Sequence, residues 1–285
     1  MPNTFEITII NESGSSQSYL LFCAQPQVSS GSGSQVFQNV WMTAPPIVSN
    51  PQGKSSTTFV INQQFYGVCG TSVSNLSSGV IVSTNDYEEV DLGNGQTPGT
   101  LLNFTTNGGA NFSSFSNKGP LNGGFTISGD SSWKLPDPNN TFIGLGGRDM
   151  RGRVVPVATL LAAPSTTYNI FPKVIYYIST GSAVEGEIVD ITSFGNVQLV
   201  DFSSSTYNSQ TFIHQNDGTY SPVPQLAAKA HKLRTLALEK VIQSRDIELG
   251  SKTGGLSGCL VKEDLLAKKL QEAFLKLIHG LDLDA

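Results

Sequence analysis

Charged side chains are scarce in this chain. Asp, Glu, Lys and Arg supply 14% of its 285 residues, against about 25% in ordinary globular domains. The scarcity does not mark a membrane protein. Mean hydropathy is −0.07, because Ser, Thr, Asn and Gly carry the polarity, and no apolar run reaches the ~18 residues of a spanning helix. A basic excess is missing too. The formal net charge is −5, so the electrostatic footprint of a nucleic-acid binder is absent and no nucleic-acid partner is expected.

Cysteine is rare: Cys23, Cys69 and Cys259 form an odd set without paired spacing, which argues against a disulfide framework. Each has apolar neighbours and reads as a small buried hydrophobe. In an oxidising compartment the remaining option is a Cys23–Cys69 bridge. His214, His231 and His279 have no metal-ligand spacing and no cysteine beside them, so no metal and no cofactor are expected. No Gly-x-Ser-x-Gly elbow sits in a strand–turn–helix context, which disfavours nucleophilic catalysis. The stretch Met1 to Ile10 carries Glu6 and alternates too strictly for a signal-peptide core. A soluble, cytoplasmic protein is therefore expected, with unconventional secretion as the other route and no membrane association.

Before Ser221 the chain also lacks any 10–15-residue segment with helical period, and any repeat of fixed length. The first absence disfavours a βαβ fold, and the second argues against a propeller or solenoid. What is present is a series of short apolar-alternating segments punctuated by Gly, Pro, Asn and Asp, the signature of an all-β domain. Phe5–Ile9 and Tyr19–Cys23 read as an N-terminal hairpin, and Thr57–Ile61 with Phe65–Cys69 as a second. Pro45-Pro46 marks a loop. Asn107 to Asn122 reads as a long surface loop. Phe142–Leu145 reads as a strand ending before Gly146-Gly147.

The chain changes character at Ser221-Pro222-Val223-Pro224-Gln225. All 14 prolines, all 8 tyrosines, both tryptophans and 14 of the 15 phenylalanines precede Leu226. Up to Pro224 there are 7 Lys+Arg and 14 Asp+Glu, a net of −7; the remainder carries 10 and 8, a net of +2, which restores the total of −5. Beyond the prolines, Leu226, Ala230, Leu233, Ala237 and Val241 recur at helical spacing, as do Leu266, Leu270, Ala273 and Leu277. The expected architecture is thus an all-β, antiparallel β-sandwich or jelly-roll-like domain over 1–221, followed by a C-terminal amphipathic α-helical hairpin over 222–285. Two such helices need cover, so self-association through them into a homo-oligomer is expected.

Chemistry-bearing residues concentrate in Gly144-Leu145-Gly146-Gly147-Arg148-Asp149-Met150-Arg151-Gly152-Arg153. It holds three of the seven basic residues before Gln225. Backbone N–H groups of a Gly-rich turn and arginine forks suit a carboxylate or phosphate. The plainer reading is a hairpin turn with solvated arginines, Asp149 pairing with one of them. Trp41, Trp133, Tyr66, Tyr87 and Tyr220, with Asp217 and neighbouring Asn and Gln, suggest a stacking surface for a sugar or similar ligand; the plainer reading is core aromatics beside Asx turns. Glu185 and Glu187 lie two apart and suit either a carboxylate pair or exposed acids that discourage edge pairing.

Three function classes follow. The leading one is a non-enzymatic, lectin-like binding protein holding a carbohydrate or small-molecule ligand through Trp41, Tyr87, Trp133, Arg148, Asp149, Arg151, Asp217 and Tyr220. The second is a small-molecule enzyme, a cyclase, isomerase or hydrolase, using a cavity in the β domain with Arg148, Asp149, Arg151 and His214. The third is a pore-forming or structural β protein, suggested by Ser/Thr-rich alternation such as Thr100 to Ser116.

Overall fold

Alternation along the first segment decides where its side chains go. In Thr4–Asn11, Ile7 and Ile9 are buried on one face while Glu6 and Thr8 lie at intermediate exposure on the other. A computed structural model describes residues 4–30, 35–50, 55–203, 205 and 207–224. Among them are nineteen strands and one 3-10 turn, Ile191–Ser193. In chain order the strands are β1 (Thr4–Asn11), β2 (Gln17–Cys23), β3 (Gln27–Ser30), β4 (Phe37–Asn39), β5 (Met42–Ile47), β6 (Ser56–Asn62) and β7 (Phe65–Gly70). There follow β8 (Asp86–Val90), β9 (Leu101–Thr105), β10 (Asn111–Ser116), β11 (Phe125–Gly129), β12 (Phe142–Arg148) and β13 (Val154–Leu161). The last are β14 (Thr167–Phe171), β15 (Ile175–Thr180), β16 (Ile188–Val189), β17 (Gln198–Asp201), β18 (Ser209–His214) and β19 (Tyr220–Pro222). The protein is all-β over these residues.

Four sheets form, in the orders β19-β18-β1-β6, β17-β15-β2-β5, β10-β9-β11-β14-β3 and β16-β4-β13-β12-β7-β8. The β1–β18 and β9–β11 pairs are parallel, which corrects the expectation of a purely antiparallel domain. One core cluster draws on all four sheets: Ile7 and Phe59 from the first, Tyr19 and Tyr176 from the second, Leu102 and Ile127 from the third, Ile143 and Leu145 from the fourth. Smaller clusters lie at Leu76, Val82, Phe142 and Ile188, and at Leu20, Phe22 and Val40. Strand β2 feeds two of them from opposite faces, which is why it reads as the unbroken apolar run Tyr19-Leu20-Leu21-Phe22-Cys23. Cys23 and Cys69 are buried and free rather than bridged, and burial pushes the Cys23 thiol up to about 12.

Several local readings need correction. Strands β1 and β2 are not a hairpin: β1 pairs with β6 and β18, β2 with β5 and β15. The turn between them carries the chain from one sheet to another, with the Asn11 carboxamide donating to Ser15 O (2.9 Å) and Ile47 O (2.7 Å). Strands β6 and β7 likewise belong to different sheets. Alternation shows which face a strand buries, not which strand it pairs with. Pro45-Pro46 lies inside β5, which is tolerated because β5 is an edge strand. The loop expected at 107–122 contains β10, bulged between Phe112 and Ser114 and largely solvent-facing. Strand β12 runs on through Gly146-Gly147 to Arg148. From Gln225 onward, the C-terminal helical hairpin lies outside the described residues.

Candidate functional site

Strands β12 and β13 are adjacent and antiparallel, and their register Arg148↔Val154 leaves Asp149 to Arg153 as the connection. The turn closes with Asp149 N donating to Arg153 O (2.8 Å) and Gly152 N to Asp149 O (3.0 Å), Gly152 taking φ +80°. Its centre is the Asp149 side chain, which is fully buried. The carboxylate accepts from the N–H groups of Arg151 (2.8 Å) and Arg153 (2.8 Å) and from Arg153 Nε (2.7 Å). Burial works to raise its pKa, but these bonds and the Arg153 charge outweigh burial and hold the carboxyl below its ordinary value. Arg153 also reaches Glu185 Oε2 at 2.6 Å, while Thr43 Oγ1 donates to Glu185 Oε1 at 3.4 Å. The hairpin is therefore tied to the 181–187 segment.

Arg148 lies beside this turn. Its Nη1 donates to Gly152 O (2.6 Å), and its guanidinium carbon stands 5.1 Å from the centroid of the Tyr66 ring. Tyr66 on β7 meets Tyr87 on β8 edge-on, with centroids 5.8 Å apart. Tyr66 is buried and Tyr87 is 49% exposed, so the stack ends in an open aromatic face. Burial raises the Tyr66 hydroxyl and the Arg148 charge works against it. From the core side, Trp41 Nε1 donates to Arg148 O at 3.0 Å. Gly147 packs on the same indole, where a Cβ would come within 2.6 Å of Trp41 Cζ2. Arg151 projects from the exposed turn and its guanidinium has no partner among the described residues.

The structure thus brings Trp41, Tyr87, Arg148, Asp149 and Arg151 together, in unequal roles. Trp41 and Asp149 are supports, one buried under the hairpin and one inside it. Tyr87 and Arg151 are open, and Arg148 joins the two groups.

A RhiA family model matches residues 2–222, a span that includes all nineteen strands. The chain belongs to the RhiA family. No curated protein and no solved structure matches it.

Three of the expected ligand residues of this RhiA chain are engaged elsewhere. Trp133 packs edge-on against Phe104, centroids 5.3 Å apart, and is half-buried. Asp217 organises the β18–β19 turn, accepting from Thr219 N (2.9 Å) and Thr219 Oγ1 (2.6 Å), bonds that lower its pKa. Tyr220 stacks on His214, centroids 4.7 Å apart at 13°. His214 Nδ1 sits 3.0 Å from Tyr19 Oη, and burial, opposed by Asp217, holds the imidazole below its ordinary pKa. The exposed stacking surface of five aromatics therefore does not exist as expected: Trp41 and Tyr66 are buried, Trp133 and Tyr220 half-buried, and Tyr87 alone of the five is exposed.

Sequence reasoning missed Glu185 as the second partner of Arg153, because the two stand 32 positions apart. The plainer reading of the turn did anticipate Asp149 pairing with an arginine, and Arg153 is that arginine. Among the described residues no group of three or more His, Cys, Asp or Glu is placed to hold a metal ion, and no helix is long and apolar enough to cross a membrane.

Proposed function

We propose that this RhiA-family domain is a binding module of β-sandwich type that holds a carbohydrate or other small ligand, without catalysis, on the face formed by Tyr87, Arg148 and Arg151. The observation that carries this reading is the Arg148–Tyr66–Tyr87 stack beside Arg151, whose guanidinium has no partner among the described residues. A half-exposed tyrosine offers an apolar ring face, and a free guanidinium offers five donors in a fixed fork. Together they suit a ring-shaped ligand rich in acceptors, a carboxylated sugar above all. The hairpin carries its own hydrogen bonds before any ligand arrives, which lowers the ordering cost of binding. The sandwich reading draws support from the shared core of the sheets, and self-association through 225–285 remains part of the proposal.

The enzyme reading has weaker support. Asp149 is occupied by its own turn and is poorly placed to take a proton. His214 lies on the first sheet against Tyr19 and Tyr220, not beside the arginines.

A glycan array followed by thermal-shift titration tests the proposal. Acidic saccharides are expected to stabilise the protein, and Tyr87→Ala or Arg151→Ala to weaken binding about 5- to 30-fold each, the loss of roughly 1–2 kcal/mol of stacking or charge-assisted bonding. Unchanged affinity in both variants, or no stabilisation by any glycan or small anion, would overturn it.

A further inference from the structure

Beside the fourth sheet the chain builds a concavity that none of the expected ligand residues lines, although one of its wall segments carries Glu185, the partner of Arg153. Its volume is about 410 Å³ and it is open to solvent. Its walls are two segments, 78–79 and 181–194, which are laced to the body of the protein. Gly79 N donates to Ile188 O (2.8 Å), Ile188 N to Val80 O (2.8 Å) and Val82 N to Gly186 O (3.2 Å). Gly186 N and Val40 O (2.9 Å), and Val40 N and Glu187 O (2.9 Å), fasten the second segment beside β4. Asp190 caps the 3-10 turn through Thr192 N (2.9 Å) and Thr192 Oγ1 (2.6 Å). The rim is therefore fixed in advance of any ligand.

The lining has a definite chemical character. Ser78, Ser182 and Ser193 contribute hydroxyls, Glu187 a carboxylate and Phe194 a phenyl ring, and among the described residues no basic one lines the cavity. Ser193 Oγ is committed to Asp190 O (2.7 Å). The exposed Ser78 and Ser182 hydroxyls have no partner among the described residues. Glu187 is held from its own segment, Oε2 accepting from Val184 N at 3.0 Å. Phe194 packs on Phe22 with centroids 5.4 Å apart, and Gly181 lets it sit close: a Cβ there would come within 3.1 Å of Phe194 Cε1.

We propose that this cavity binds an uncharged, hydroxyl-rich ligand of the size of a monosaccharide or one end of a disaccharide. The volume lies in the range of about 300–1,000 Å³ typical of small-ligand sites. A sugar ring presents what this wall needs: hydroxyl donors for Glu187, acceptors for Ser78 and Ser182, and a C–H face for Phe194. The carboxylate, with no cation among the described residues lining the cavity, disfavours anionic ligands. Neutral recognition here and acceptor-rich recognition at the arginine turn use different lining residues, although the Arg153–Glu185 pair joins the two regions.

The test is a backbone-amide NMR titration of the full chain with methyl glucoside, methyl galactoside and methyl mannoside, glucuronate serving as the anionic comparison. At least one neutral glycoside is expected to shift amides at 78–79 and 189–194, which lie outside the Glu185 contact with the arginine turn, and glucuronate to shift them at least several-fold more weakly. Ser182→Trp, a change at an exposed position, is expected to abolish the shifts. Glu187→Gln keeps an acceptor for Val184 N and is expected to weaken glycoside binding about 3- to 10-fold while narrowing the preference over glucuronate. Tyr87→Ala and Arg151→Ala are expected to leave these shifts unchanged, which separates this site from the arginine surface. Absence of shifts at these amides, shifts that survive Ser182→Trp, or glucuronate binding as well as the neutral sugars would each overturn the proposal.

Discussion

Asp149 shows how one side chain can hold a turn. Its carboxylate has no exposure, yet it stays ionised because Arg151 and Arg153 supply three hydrogen bonds and an ion pair. Replacing it by Asn keeps the shape and removes the charge. Urea unfolding at neutral pH should show Asp149→Asn to be less stable by about 2 kcal/mol, the range for hydrogen bonds to a charged group. The pH dependence has a fixed sign. The folded carboxyl is held below its ordinary value of 3.8, so its stabilisation is complete above that value and is lost as pH falls through the folded pKa. The gap between wild type and variant should therefore shrink below about pH 4; a gap that stays constant to lower pH would show that the charge is not what holds the turn. This residue was legible in the sequence, because an Asp followed by Gly and Arg in a short turn has local partners to find. Glu185 was not, because only the folded chain brings it to Arg153.

Strand identity was legible wherever alternation met burial, as in β1 and β6. It was obscured where backbone proximity dictated the residue. In β12 the pair Gly146-Gly147 looks like the end of the strand because glycine weakens an isolated strand. Each glycine of β12 nevertheless sits against a neighbour: Gly144 against the Ala158 carbonyl, Gly146 against Val68, Gly147 against Trp41. A Cβ at Gly144 would fall deep inside contact with the Ala158 oxygen, a backbone atom that cannot move without shifting β13. Gly144→Ala should consequently cost about 2–3 kcal/mol, at the upper end of overpacking. Gly195→Ala should cost almost nothing, since a methyl there meets nothing within 4 Å. Equal chemical-denaturation midpoints for the two variants would refute this account of β12. The prolines of β5 misled for the converse reason: an edge strand leaves one row of N–H positions unpaired, so a missing donor carries little penalty.

Across the whole molecule, partner choice was the illegible part. The all-β class could be read from composition and punctuation, but the sheets join strands distant in sequence: β1 with β18, β2 with β15, β4 with β13. Such contacts depend on three-dimensional closure, and nothing within a short window encodes them. Closure itself has a definite end point. The final ladder pairs Phe212↔Pro222, Ile213↔Ser221 and His214↔Tyr220, and the RhiA match stops at 222. Every strand in the four sheets finds its neighbours within residues 4–222. A chain ending at Pro224 should therefore keep a β-type circular dichroism spectrum and unfold in one cooperative transition. Its midpoint should stay within about 4 °C of the full chain, equivalent to about 1 kcal/mol for a domain of this size. A truncated protein that aggregates on expression, or melts in two steps, would mean that the body of the fold needs residues 225–285 for its stability. Separate sedimentation of the two chains then isolates the other expected role of that segment: loss of an oligomer on truncation, with the β spectrum intact, is the outcome that assigns self-association to it.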